Sequence, residues 1–494
     1  MVKQGCQIPD ITALLLGDFN EEAARSLYAQ GEEVAIFVMM QLVALAKKRV
    51  DVHDASKVVV NDVHPSEPSG SVATYLKEPK KKRRKKPGAK PGHKGFRRPP
   101  PESITKHVTH EATCCPDCGG PLNKRRGTTR KRYTEDIPDE IKPEVTEHTI
   151  RRDYCPKCRK VVEPVVPDAM PGAIIGHRAV VLSAFLHYFI GTPILKIVEI
   201  FNTQFFFKLT PGGLVQCWRK LAAVLKPWYD EIGETVKSSG VMHADETGWR
   251  INGKTHWLWA FSTQYATYYM IDRSRASPVV LRFFKKAFAG ILVTDFWGAY
   301  NAIVCAGKQK CLVHLLGDLK KVAKYGDKSD DWPTFAKRLK RILRDAMRLV
   351  ATSATTRGRR QTLEITKYER LCAGIEKRMT QLIASSWTNK EAKRLVKRLR
   401  RHRDELFVFL YHADVPFDNN HAERTIRNAV VMRKNSYCNR SLDGAETQAV
   451  LMSVFQTLKQ RNANVTKTIV NALHHFLKTK KLPNLKQSLE FSAE

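Results

Sequence analysis

The chain has 494 residues, which by length alone makes about three domains, and its 84 Lys plus Arg against 49 Asp plus Glu leave a net charge of +35. So positive a balance asks for a polyanionic partner, while 43% hydrophobic residues, with 21 Phe and 8 Trp, exclude a wholly disordered chain. Eleven Cys, four of them in two Cys-x-x-Cys pairs, suit a reducing compartment and a metal site better than a disulfide framework, which argues against secretion. Met1 to Asn20 carries no small-residue cleavage pattern, so no signal peptide is expected. The longest apolar run, Ala179 to Ile190, contains His187 and falls short of the roughly 20 residues of a membrane span.

In chain order, Glu21 to Lys48 places Val34, Phe37, Val38, Leu42 and Leu45 on one helical stripe, which suits either pairing with another chain or packing on its own domain. Ser66 to Pro101 is rich in Pro, Gly and cations. From Lys80 to Arg98 it holds eleven Lys or Arg and no acid, seven of them consecutive: Lys80, Lys81, Lys82, Arg83, Arg84, Lys85 and Lys86. Such a segment repels itself into an extended chain, and reads as a nucleic-acid-binding arm; a solvated charge run or a localisation patch has the same composition. His177 to Ile190, Ile194 to Asn202 and Leu214 to Leu225 are three helical stretches separated by Gly-Thr-Pro and Thr-Pro-Gly-Gly turns, either a helix-turn-helix or simple packing. Val241 to Asp245, Thr255 to Thr263 and Ala266 to Asp272 then read as three antiparallel strands, the first two joined at Asn252-Gly253. A helix over Ser277 to Phe288 leads to a strand ending on Asp295 and another at Lys310 to His314. Trp332 to Leu410 is helical again, and between Lys337 and Glu405 holds 21 Lys or Arg against seven acids, which suits a face toward phosphate or ordinary solvated helices.

Cys115-Pro-Asp-Cys118-Gly and Cys155-Pro-Lys-Cys158 repeat a knuckle in which two thiolates flank a tight turn. Two knuckles close one tetrahedral site with no open position, so a zinc ion there would fold the module and not catalyse. The 36 intervening residues are expected to form a hairpin, with Thr128 to Tyr133 and Glu144 to Arg151 strand-like. Cys114 is an alternative to Cys115, although Cys115 keeps the x-x spacing to Cys118. The scattered Cys6, Cys217, Cys305, Cys311, Cys372 and Cys438 read as small apolar residues.

Asp245 and Asp295 each end a predicted strand, and Glu423 falls in the first turn of a helix that Asn419 or Asn420 can cap. Neighbouring strand ends and a facing helix can gather three carboxylates, the oxygen cluster that two hard divalent cations need for phosphoryl transfer. Spacing alone makes this triple suggestive only, since 49 acids yield such triples by chance.

His-Ala-Asp-Glu-Thr-Gly-Trp (243–249), Thr-His-Trp-Leu-Trp (255–259), Thr-Asp-Phe-Trp-Gly-Ala-Tyr (294–300), Cys-Leu-Val-His-Leu-Leu (311–316) and Asn-Asn-His-Ala-Glu-Arg (419–424) resemble, in order and interval, the insertion-sequence 66 family of transposases. The Pro-Gly-Ala-Lys-Pro-Gly-His-Lys-Gly run (87–95) and the double knuckle are similar too, so the likeness covers roughly residues 80 to 460. It implies an α/β ribonuclease H-like core with an Asp-Asp-Glu triad, Asp245, Asp295 and Glu423, binding two Mg²⁺ or Mn²⁺ ions and interrupted by a large all-α insertion. It also implies DNA-end recognition in the N-terminal region and leaves room for accessory proteins of the same element. Ser436 to Gly444 departs locally from the family pattern, and the N-terminal stripe is short for the zipper-like segment often found upstream.

The expected layout is a helical segment (1–65), a basic linker or arm (66–105), a zinc ribbon (106–168), a helical subdomain (169–236), the first part of the core (237–317), the insertion (318–412), the part of the core with the Glu helix (413–480) and a tail (481–494). The chemistry expected is hydrolysis at the element's end followed by attack of the freed 3′-hydroxyl on target DNA. Joining two ends favours at least a dimer on double-stranded DNA, and no membrane partner and a bacterial cytoplasmic setting are expected. Arg424, Arg427, Arg433 and Lys434 are candidates for holding strands, or ordinary surface cations. His243, His314 and His421 are candidates for touching metal or DNA, or packed histidines, and Trp249, Trp257 and Trp297 read as core. Glu246 is expected on the strand face opposite Asp245 and is left out of the site. The competing reading is a non-catalytic DNA-binding derivative of a transposase; a junction nuclease on the same core leaves the arm and knuckles unexplained.

Overall fold

The computed structural model describes residues 102–490 except 116, 123–130, 135, 139, 286 and 356–364. The stripe from Glu21 to Lys48, the arm with Lys80 to Lys86 and the first half of Thr128 to Tyr133 lie outside the described residues, and Lys131 to Tyr133 form no strand. The first ordered pair, β1 (Asp153–Cys155) and β2 (Lys160–Val162), is antiparallel with Cys155 opposite Lys160, so it clasps the second knuckle. The strand expected at Glu144 to Arg151 is not formed. That stretch has no sheet partner among the described residues and leaves Val145 88% exposed, so no apolar face is buried to hold it.

Helices α1 (His177–Phe185, continued by a π-helical turn, Leu186–Ile190), α2 (Ile194–Gln204) and α3 (Pro211–Lys237) follow. Thr210 caps α3 by accepting from Gly213 N at 3.1 Å, and Pro211 occupies the first helical position, where no amide donor is needed. Trp218, Leu221, Leu225, Trp228 and Ile232 recur on one face of α3 and are all buried, because this helix packs on the sheet described next and on a later helix.

His187 lies inside that packing, stacked 4.9 Å from Trp218, and its Nδ1 donates to Thr192 O at 2.8 Å. Burial pulls its pKa down to about 4. The folded chain therefore holds His187 neutral while the unfolded chain protonates it near 6.5, so the native state loses stability as pH falls from 6.5 toward 4. Denaturant titrations at pH 7 and pH 5 are expected to differ by on the order of 2 kcal/mol from this residue; a His187→Gln variant with an equally steep loss would refute the assignment.

The sheet has five strands in the order β5-β4-β3-β6-β7. These are β3 (Val241–Ile251), β4 (Lys254–Ser262), β5 (Thr267–Asp272), then α4 (Ser277–Phe284), β6 (Phe288–Thr294) and β7 (Cys305–Lys310). β3, β4 and β5 are antiparallel, and β6 and β7 run parallel to β3. Asn252 and Gly253, both at positive φ, make the β3–β4 turn. β3 runs six residues beyond the expected Asp245, since the polar stretch up to Ile251 is fully paired with β4.

α4 stops at Phe284 and not Phe288, because Lys285 takes φ 58° and Phe288 already belongs to β6. Gly290 is in that strand: a Cβ there would sit 2.4 Å from Ser239 O and 2.6 Å from Gly240 O. The strand expected at Lys310 to His314 is also displaced. Pairing ends at Lys310, and Leu312, Leu315, Leu319 and Val322 form the buried face of α5 (Leu312–Tyr325), a helical period that outweighs the short apolar run.

α6 (Trp332–Thr355), α7 (Ile365–Ala384) and α8 (Lys390–Arg401) form with α5 a second apolar cluster around Phe335, Leu343, Met379 and Leu395. α9 (Asn420–Ser436), α10 (Leu442–Gln460), α11 (Val465–Thr479) and α12 (Leu485–Glu490) return to the first cluster, which joins α1, α3, the sheet and α10. α10 lies along β5, where Ser453 Oγ accepts from Tyr269 N at 2.9 Å and Thr457 Oγ1 from Thr267 N at 3.1 Å. On the other edge, Gln309 of β7 donates to Leu406 O at 3.0 Å and accepts from Phe409 N at 3.0 Å. No described helix is long and apolar enough to cross a membrane.

Candidate active site

β3 and β6 are parallel with His243 opposite Val293. Two residues further on, Asp245 within β3 and Asp295, which directly follows β6, come to one level, and a step of two keeps the side-chain face on β3. Asp295 is buried and its Oδ1 accepts from Trp297 N at 2.8 Å, while half-buried Asp245 accepts from Glu246 N at 2.9 Å. Glu423 comes from the first turn of α9, where its own amide donates to Asn419 O at 3.1 Å.

Asn419 fixes that approach. It is the N-cap of α9, yet its side chain caps no amide: Nδ2 donates to Ala244 O at 2.9 Å and Oδ1 lies 3.0 Å from His243 Nδ1. Its backbone N donates to Cys311 Sγ at 3.3 Å. The start of α9 is thus tied to β3 one residue before Asp245 and to the junction of β7 and α5. His243 serves this contact as a buried ring, its pKa drawn down to about 4 chiefly by burial.

The electrostatics follow from crowding. Burial first, then the negative charges of Glu246, Asp295 and Glu423, push the Asp245 carboxyl well above the usual carboxylate range. Carboxylates held together in this way favour a divalent cation between them, and an all-oxygen donor set suits Mg²⁺ or Mn²⁺. Among the described residues Lys310 is the one buried Lys or Arg, and it feels the charge of Asp295. Fully buried at the end of β7, it donates from Nζ to Thr294 Oγ1 at 2.9 Å and lies 3.9 Å from Glu405, linking the helical region to the strand that carries Asp295.

Glu246 is the residue that the sequence reading left aside. Alternation does turn it to the other face, but on a central strand that face is interior, and a carboxylate there needs partners. Arg275 donates to Glu246 Oε1 at 2.7 Å, and Tyr300 OH to Oε2 at 2.5 Å. The Arg275 guanidinium is held between Trp257, at 4.4 Å, and Trp297, at 3.8 Å. Trp297 donates from Nε1 to Arg275 O at 3.1 Å while its amide serves Asp295, so the layer beneath the site is continuous with it. Trp257 and Trp297 therefore clamp a cation, and Trp249 is buried with its Nε1 donating to Asn439 Oδ1 at 2.7 Å.

The four candidate strand-holding cations separate. Arg424, Arg427 and Lys434 are exposed on α9. Arg433 is half-buried and donates to Thr247 Oγ1 at 3.0 Å and Gly248 O at 2.5 Å, which binds α9 to β3. His421 is half-buried, with its ring 5.1 Å from that of His243. The divergent stretch after Asn435 passes through Tyr437 and Cys438 at positive φ and lays Asn439 along β3, with Asn252 N donating to Asn439 O at 3.0 Å.

The knuckles show matching local geometry. Gly119 at φ 69° and Arg159 at φ 50° each follow a second cysteine, Cys118 and Cys158. The Cys115 thiol is held down by hydrogen bonds from the Asp117 and Cys118 amides, and the Cys155 thiol by Cys158, whose amide donates to its Sγ at 3.4 Å. Among the described residues neither three of these sulfurs nor Asp245, Asp295 and Glu423 together bring ligand atoms within 4.8 Å of one another; the grouping that does is Cys311, His314 and Glu423. Burial pushes the Cys311 thiol up to about 12, so it accompanies the carboxylates as a neutral thiol.

Residues 172–447 match the model of the IS66 family of transposases. The chain belongs to that family. The matched span is more than half of the molecule and contains Asp245, Asp295, Glu423 and the helices between them, whereas the knuckles lie upstream of it. An uncharacterized protein of Sinorhizobium fredii, y4jD, is 24% identical over 384 residues, covering 71% of this chain and 72% of the relative. IS66-family membership supports a transposase role and with it an action on DNA.

Proposed function

We infer that this IS66-family chain binds the ends of an insertion sequence and catalyses metal-dependent DNA strand cleavage and strand transfer. The observation that carries the reading is that Asp245 on β3 and Asp295 just after the parallel β6 lie at one level, with Glu423 in the first turn of a helix pinned by Asn419 and its charge acting on Asp245. The antiparallel-then-parallel sheet is compatible with a ribonuclease H-like core. Divalent cations at such carboxylates supply charge neutralisation at the attacking and leaving oxygens of a phosphodiester. The chain's part is to orient: Trp297 N and Asn419 fix the carboxylates before DNA arrives, and exposed Arg424 and Arg427 flank the start of α9 where phosphates would lie. The basic arm from Lys80 to Lys86 adds sequence-independent attraction for DNA, and joining two ends calls for at least a dimer.

The deciding experiment is a strand-transfer assay with Mg²⁺ or Mn²⁺ on DNA carrying the inverted repeats that flank the reading frame, with accessory proteins of the element supplied. Metal-dependent joining by the parent and none by Asp245→Ala is expected; equal joining by both would remove the triad from the chemistry.

A structural zinc ribbon formed by Cys115, Cys118, Cys155 and Cys158 is the reading we attach to the knuckles, since both turns and both depressed thiols suit thiolate ligation. Purified protein is expected to carry one zinc per chain by elemental analysis, reduced to below half in Cys118→Ser; zinc retained in full by that variant would exclude the shared site.

A further inference from the structure

α5 starts one residue after β7, so Cys311 is its N-cap and His314 falls in its first turn, both facing the first turn of α9. His314 Nε2 lies 3.8 Å from Glu423 Oε1. That distance is too long for a hydrogen bond. Two ligand atoms each about 2.1 Å from one ion are roughly 3 Å apart in a cis arrangement and about 4.2 Å apart in a trans one, and the observed separation lies between these limits. The other ring nitrogen, Nδ1, is buried with no hydrogen-bond partner, and among the described residues no hydrogen bond fixes the ring through Nε2 either. A packed structural histidine is ordinarily satisfied by a partner, as His187 is by Thr192 and His243 by Asn419. His314 has instead a carboxylate at ligand distance.

We propose that His314 supplies an imidazole nitrogen to the cation held by Glu423, so that this half of the site is a nitrogen–oxygen centre and not an all-oxygen one. The proposal rests on the metal-centre reading of the carboxylates. Imidazole is a softer donor than carboxylate and favours Mn²⁺ over Mg²⁺, so His314 sets the preference of the site among divalent ions.

The test uses the full chain loaded with Mn²⁺ and pulsed electron paramagnetic resonance, which detects nitrogen bound to the ion without any turnover. The parent is expected to show a ¹⁴N modulation that changes to the ¹⁵N pattern when histidine alone is labelled, a result that needs no substitution. His314→Gln, and His314→Asn should the first variant not fold, are expected to lose the modulation and to bind Mn²⁺ at least about tenfold more weakly, the lower bound for disturbed outer-shell partners, with Mg²⁺ affinity changed less. His243→Gln is expected to keep the modulation. A parent without nitrogen coupling, or coupling that survives in both His314 variants, overturns the proposal while Mn²⁺ binding lost in Asp295→Asn keeps the carboxylate reading alive. Mn²⁺ binding indifferent to both Asp295→Asn and Glu423→Gln defeats the two together.

Discussion

Asp295→Asn is expected to lower DNA strand cleavage by on the order of a thousandfold or more, since a divalent ion contributes several kcal/mol to charge stabilisation and each 1.36 kcal/mol is tenfold in rate. DNA affinity should stay as in the parent. The substitution keeps the size of a side chain that is 4% exposed, and the remaining oxygen can still accept from Trp297 N, so the loss is one of charge and not of structure. Cleavage of an end duplex and gel-shift binding, measured side by side, decide the matter. Cleavage within tenfold of the parent would take Asp295 out of the reaction, and joint loss of cleavage and binding, with a lowered melting temperature, would make it a folding residue.

The second large effect is on stability. Glu246→Ala is expected to destabilise the chain by about 3–5 kcal/mol, the usual cost of breaking a buried pair from one side. Arg275 would be left charged between Trp257 and Trp297 without its ion-pair partner, and Tyr300 OH would lose its acceptor. Glu246→Gln, which keeps an acceptor for Tyr300, should cost less. Denaturant unfolding of the three proteins gives the comparison. A change below about 1 kcal/mol for the alanine variant would mean that Arg275 relaxes to solvent, against the buried-pair cost assumed here.

Much of this arrangement is written locally in the chain. Strong β-branched and aromatic runs with Asn252-Gly253 between them identify the three antiparallel strands, and helical periods identify α3, α6 and α7. Asp295 and Glu423 are visible as a strand-end and a helix-start residue, whereas Asp245, expected at a strand end, lies within β3. What escapes is tertiary. β7 reads Cys-Ala-Gly-Lys-Gln-Lys, and nothing in that polar text announces that Gln309 and Lys310 are buried, because their partners, Leu406, Phe409 and Thr294, are far away in the chain or on another strand. Glu246 escapes for the opposite reason. Alternation gives its face correctly, but whether that face is solvent or interior depends on Arg275 and Tyr300, 29 and 54 residues away. Asn419 was legible as a cap residue, yet its side chain is spent on β3, a choice that only the assembled sheet offers.

At one edge of the sheet the backbone row of β5 is partly filled by the hydroxyls of Ser453 and Thr457, and at the other the Gln309 side chain of β7 ties that strand to the backbone at Leu406 and Phe409. An open edge is a template for any other extended chain. Here a second copy could add a strand to β5 only by displacing α10 from Tyr269 and Thr267, and to β7 only by pulling Gln309 away from its two backbone partners. Two molecules brought together on DNA are thereby steered away from fusing their sheets into a continuous ribbon, and must meet through helices or loops, where contact can be made and released without unfolding either catalytic core.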